Sequence, residues 1–165
     1  MNAITLQTLA AFPDQLEAHF AAIPAEYRHW TPPSWQGVPS EPFTAIEQVC
    51  HVRDIEIEGY HVRFLRTLLE SHPELPSVES EVLAIERAYG TSDPGDAFAV
   101  FRKARTKTLE LIAGFTPDQF QRTAVFEGRD CTLQSLVHFL CSHDQQHLAG
   151  LQWLLARIEA ERALA

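Results

Sequence analysis

No apolar run in this 165-residue chain approaches the roughly 20 residues needed to cross a bilayer. The opening residues, Met1-Asn2-Ala3-Ile4-Thr5, lack the basic start and long apolar stretch of a secretory signal. A protein that neither spans a membrane nor is exported is the expectation. Basic residues are also scarce, 13 Lys and Arg against 22 Asp and Glu, for a formal charge of −9 and no compensating basic stripe. Such a surface repels phosphate backbones and anionic lipid, which argues against nucleic acid and membrane partners. Cysteine is limited to Cys50, Cys131 and Cys141, an odd number without the CxxC spacing of thiolate metal sites. That usage points to a reducing cytoplasm and to thiols that serve as buried filler. Internal repeats, low-complexity tracts and sustained apolar–polar alternation are missing as well, so nothing demands a strand.

What is present is helical periodicity on a chain of single-domain length, read as one domain over residues 1–165. Leu6, Leu9, Leu16, Phe20 and Ile23 give a first helix over about 6–22, with Pro13 expected to kink it or to mark the start of its regular part. From Pro24 to Pro42 there are five prolines and two tryptophans. This must be an irregular connection, packed on the body through Trp30 and Trp35. A long helix follows over about 44–70, and Pro73 and Pro76 break the chain after it. A short helix over 81–89 is expected to stop at Gly90. Asp93-Pro94 is a strong start for a third long helix to about 113. After Gly128 and Asp130, Thr132 is a plausible cap for a final helix reaching about 161. The resulting fold class is all-α, a four-helix bundle with long irregular helix 1–2 and helix 2–3 connections.

The chemistry lies in the histidines. The core-facing stripe of the last helix runs Leu133, Leu136, Val137, Leu140, His143, His147, Leu151, Leu154 and Ile158. His143 and His147, four apart, share one face and can aim both imidazoles at one ion. On the second long helix His51 shares a mostly apolar face with Ile55, Glu58, Val62 and Leu65, so it too should look inward. Three imidazoles holding one divalent cation would leave positions open for water or substrate, the arrangement of a catalytic site. The same spacing also suits three core histidines, each bonded to a carbonyl or carboxylate. Histidine ligands suit zinc, nickel, iron and copper alike.

Other constellations fit less well. The HDxxH at 143–147 has Asp144 where metalloproteases use a glutamate base, and only 18 residues follow it. Di-iron bundles need two Glu-x-x-His motifs, and Glu58-Gly59-Tyr60-His61 supplies one. Glu58, nearly two turns beyond His51, is a candidate for the pocket below the metal or for pairing with an arginine such as Arg63. Trp30 and Trp35 are further pocket candidates. Asp54 could orient the His51 ring or face solvent.

The stretch Pro42-Phe43-Thr44-Ala45-Ile46-Glu47-Gln48-Val49-Cys50-His51-Val52-Arg53-Asp54 resembles the start of the second helix in the DinB superfamily. Gly128, Thr132-Leu133-Gln134-Ser135-Leu136 and His143-Asp144-Gln145-Gln146-His147-Leu148 resemble that family's last helix. One histidine, a gap of roughly ninety residues, then HxxxH is a similar order. The resemblance implies a four-helix bundle with a long crossing connection, a homodimer, and a metal site of His51, His143 and His147. It further implies a small-molecule substrate and either hydrolysis or transfer of a low-molecular-weight thiol, since some members are thiol-cofactor-dependent enzymes. The competing reading is a non-catalytic dimeric interaction protein whose metal is structural or absent.

Overall fold

The Asn2 side chain accepts the N–H of Ile4 at 2.9 Å and so opens the first helix of the computed structural model, which describes residues 2–164. That helix, α1 (Ala3–Ala22), runs on through Pro13, which lies on its buried side. A 3₁₀ turn (Ala25–Tyr27) and an irregular strap lead to α2 (Ala45–Asp54). Thr44 starts α2 firmly, since its backbone N–H and its hydroxyl both donate to Glu47 at 2.8 Å. A π-helical turn (Ile55–Tyr60) then joins α2 to α3 (His61–Leu69) as one continuous rod. A two-residue β1 (Glu74–Leu75), α4 (Ser80–Glu86) and a 3₁₀ turn (Tyr89–Thr91) lead to α5 (Pro94–Gly114), capped by Asp93 through Asp96 N–H at 2.9 Å. After the short α6 (Pro117–Phe120) come β2 (Thr123–Phe126), β3 (Arg129–Thr132) and the 32-residue α7 (Leu133–Leu164). Thr132 Oγ1 accepts the N–H of Ser135 at 3.1 Å at the start of α7.

Helix α1 packs between α5 and α7, and α2 packs between the same two from the other side. The expected four-helix bundle is therefore the fold, with both long connections. The apolar core falls into two clusters, one of Phe12, Leu16, Ile46, Val49, Phe101 and Leu154 among others, and one that includes Leu9, Phe64, Leu133, Leu136 and Leu140. Among the described residues no helix is long and apolar enough to cross a membrane.

Three features depart from the sequence reading. A small sheet in the order β1-β2-β3 exists, parallel between β1 and β2 and antiparallel between β2 and β3. Strands of two to four residues are too short to show a period of two. The turn between β2 and β3 places Glu127 (φ 52°) and Gly128 (φ 70°) in left-handed conformation, as tight hairpins require. The stop after α4 falls on Ala88 (φ 48°) rather than Gly90, which continues into the 3₁₀ turn.

The third departure is the π turn. It admits an extra residue and rotates everything beyond it relative to α2. Val62 and Leu65, expected inward with His51, are 40% and 56% exposed, while Glu56, Tyr60, Phe64 and Thr67 are buried. Glu58 is carried to the rim and pairs with Arg87.

Candidate metal centre

Helix α7 brings His143 and His147 to the core on successive turns, and α2 presents His51 opposite them. Across the bundle His51 Nε2 lies 3.1 Å from His143 Nε2, which lies 3.1 Å from His147 Nε2. The strap adds a group that the sequence reading missed. Glu41 reaches in with Oε1 3.5 Å from His51 Nε2 and Oε2 3.3 Å from His147 Nε2. One donor atom from each of these four residues lies within 4.8 Å of the other three.

Gln48, one turn before His51, decides the state of His147. Its amide nitrogen donates to Ser40 Oγ at 2.8 Å, Phe43 O at 3.2 Å and Glu41 O at 3.3 Å, which fixes the amide orientation. The amide oxygen therefore faces His147 Nδ1 and accepts its hydrogen. Nε2 of His147 is left as a bare lone pair aimed at the other three donors. His51 packs instead against Phe43, with ring centroids 5.2 Å apart.

Burial lowers the His51 pKa to about 4. His143 and His147 are also pushed well below the ordinary imidazole value, by burial first and then by neighbouring positive groups. Near neutrality the rings are neutral, as metal ligands must be. Protons alone serve this cluster poorly, because His143 Nε2 can give one hydrogen to only one of its two imidazole neighbours. A cation at the common focus satisfies all four groups at once. Ligand atoms about 2.0–2.1 Å from one ion, at tetrahedral to octahedral angles, lie roughly 2.9–3.4 Å apart. The observed 3.1 Å spacings fit that range. Three imidazoles and a carboxylate are a donor set for zinc, nickel or iron, without the soft thiolate that copper(I) prefers.

Behind the cluster lies a buried charge triad. Arg105 on α5 spends all five N–H groups: two on Glu56 at 2.8 and 2.9 Å, two on Asp144 at 2.8 and 3.0 Å, and one on Leu9 O at 2.9 Å. Thr108 donates to Glu56 at 2.5 Å. Burial and nearby Glu56 push Asp144 up to about 7, against the pull of Arg105. Glu56 follows His51 by five residues and Asp144 follows His143 directly. One guanidinium therefore ties the two ligand-bearing helices together. Asp144 faces this triad, so the metalloprotease pattern in which it would serve as a base does not apply.

The other expected site residues lie elsewhere. Trp35 stacks on Trp153 with centroids 6.0 Å apart, and Trp30 packs edge-on against Tyr27 at 6.1 Å. Both fasten the strap to the bundle core rather than lining a pocket. Glu58 pairs with Arg87 at the surface because of the π turn. Asp54 neither orients His51 nor faces solvent. It is buried and accepts from Arg53 at 2.6 and 3.0 Å, Tyr89 at 2.7 Å and Arg87 at 2.9 Å. Burial raises the pKa of all three thiols, and none forms a disulfide. A cavity of about 460 Å³ opens beside the cluster instead, with His143 and Glu41 in its wall and Tyr60, Arg63, Phe126 and Phe139 around it.

The family model of the DinB superfamily matches residues 8–151. The chain belongs to the DinB superfamily. No curated protein matches it. Among solved structures this DinB-superfamily chain is similar to YfiT from Bacillus subtilis, with a TM-score of 0.82 and 20% sequence identity over 96% of this chain and 90% of that one. YfiT is described as a probable metal-dependent hydrolase with an unusual four-helix bundle topology. At that identity the likeness establishes a shared fold for the two.

Proposed function

We propose that His51, His143, His147 and Glu41 hold one divalent cation and that the protein is a metal-dependent hydrolase of small molecules. One observation carries this reading: the donor cluster adjoins a 460 Å³ cavity through His143 and Glu41. A structural metal is closed off on all sides, whereas a catalytic one keeps a face open to substrate. The chemistry a divalent ion supplies there is polarisation of a carbonyl and a lowered pKa for water.

The chain's own groups do the rest. Neutral His51, His143 and His147 offer lone pairs, with His147 locked in the correct tautomer by Gln48. Glu41 would hold the ion through one carboxylate oxygen and leave the other to take a proton from an incoming water and return it to the leaving group. The water oxygen bonds to the substrate carbonyl carbon as its C–O or C–N bond breaks, so the products are an acid and an alcohol or amine.

The test is hydrolysis of p-nitrophenyl acetate by zinc-loaded, chelated and His143→Ala protein, beside consumption of a low-molecular-weight thiol with an aryl electrophile. Ester hydrolysis lost on chelation and in the variant supports the reading. Equal ester rates in all three, or metal-dependent thiol consumption without hydrolysis, contradict it.

A further inference from the structure

Two arginines are buried in this bundle, and their surroundings differ sharply. Arg105 meets two carboxylates and a carbonyl with its five N–H groups. Arg63, only 5% exposed, meets no carboxylate within 4.0 Å among the described residues. Its polar neighbours are Pro76 O, 3.5 Å from Nη2, and the Tyr60 hydroxyl, with Glu127 acting on it at longer range, and its Nε has no partner. A buried, unpaired guanidinium is costly, and chains retain one where a ligand completes it.

The position of Arg63 is built. Its guanidinium carbon lies 4.3 Å from the Phe126 ring centroid and 4.9 Å from that of Tyr60, a two-ring clamp that holds the plane. Gly59 gives it room, since a Cβ there would lie 3.1 Å from Arg63 Nη1 and 3.4 Å from Cζ. The group lines the same cavity as His143, and Tyr60 stands between them, its ring 6.3 Å from that of His143.

We infer that Arg63 is the substrate-recognition residue of this cavity and that it binds a carboxylate, so that the substrate is a small apolar-bodied monocarboxylate whose reacting group lies toward His143. A planar guanidinium fork matches a carboxylate bidentately, and Nε of Arg63 has no partner within the chain. Phe126, Phe139, Val78 and Ile55 supply apolar walls for the body of the molecule. Glu41, Glu127 and Asp130 outnumber Arg63 and Arg129 in the cavity lining and oppose a doubly charged phosphoryl group more strongly than a single carboxylate. This inference deepens the hydrolase reading by naming what that site takes.

Titration calorimetry of the full-length protein, zinc-loaded and chelated, with phenylacetate, phenylacetamide and phenylphosphonate tests it. The wild type is expected to prefer phenylacetate over the neutral amide by about ten- to hundred-fold, with or without zinc. Arg63→Gln is expected to abolish that preference, and Arg63→Lys to lose most of it, with zinc content unchanged in both. The wild-type comparison stands without either variant should they fail to fold. Equal binding of acid and amide, a preference that disappears on chelation, tighter binding of phenylphosphonate, or a preference retained in Arg63→Gln would each overturn the inference. Zinc content is read separately, so loss of the metal reading and loss of the Arg63 reading give different results.

Discussion

His147 on α7 donates its Nδ1 hydrogen to the side-chain oxygen of Gln48 on α2, joining the two helices that carry the imidazole cluster. That bond makes Gln48 the residue that prepares a ligand without being one. Gln48→Ala leaves His147 free to turn or to carry its hydrogen on Nε2. Zinc affinity, measured by competition with a chromophoric chelator, should fall about 10- to 100-fold. Unchanged affinity would mean that packing alone holds the ring.

Gly150 follows His147 by nearly one turn and lets the strap lie against α7. A Cβ there would collide with Ser40 Oγ and sit 3.1 Å from Gln48 Nε2. Gly150→Ala should therefore displace Ser40 and its neighbour Glu41 and weaken zinc binding. An ordinary helix position would instead gain about 1 kcal/mol from the same change. A higher melting temperature with undiminished zinc binding would contradict the close approach.

Arg105→Met leaves Glu56 and Asp144 buried and facing each other. Urea unfolding should show a loss of about 3–5 kcal/mol, the usual cost of removing one member of a buried ionic group. A loss below about 1 kcal/mol would show that the two acids protonate at little cost.

The low imidazole pKa values set a pH dependence for the chelated protein. His51 titrates near 4 when folded and near 6.5 when unfolded. Between those values the unfolded chain holds the extra proton, so stability rises with pH across that window and falls as pH drops from 6.5 to 4. His51 alone contributes roughly 3 kcal/mol at 1.36 kcal/mol per unit. His143 and His147 act in the same direction. His51→Asn should flatten the slope, and an unaltered slope would contradict the burial of a neutral ring.

The bundle was legible because its signals are local: Asp93-Pro94 and Thr132 as starts, prolines as stops, and apolar stripes on the first, second and last long helices. His51, His143 and His147 were legible for the same reason, as polar residues at core positions of those stripes. Beyond residue 55 the π turn changed the phase, a change that its single Gly59 does not distinguish from an ordinary helix, and Glu58 was misplaced by it. Glu41 and Arg63 carry charge, and by composition alone a charged residue reads as surface. The burial of Arg105, Glu56 and Asp144 depends on pairing across 39 and 49 residues of chain, which no local pattern encodes. Trp30 and Trp35 read correctly as packed, but the surface they cover is the bundle core.

The central claim is that one cation joins α2, α7 and the strap. Its most direct test is elemental analysis of freshly purified protein beside His51→Ala, His143→Ala and His147→Ala. The wild type should carry about one equivalent of zinc, nickel or iron per chain, and each variant a small fraction of that. A wild type without bound metal even after zinc loading, or variants that retain a full equivalent, would contradict it.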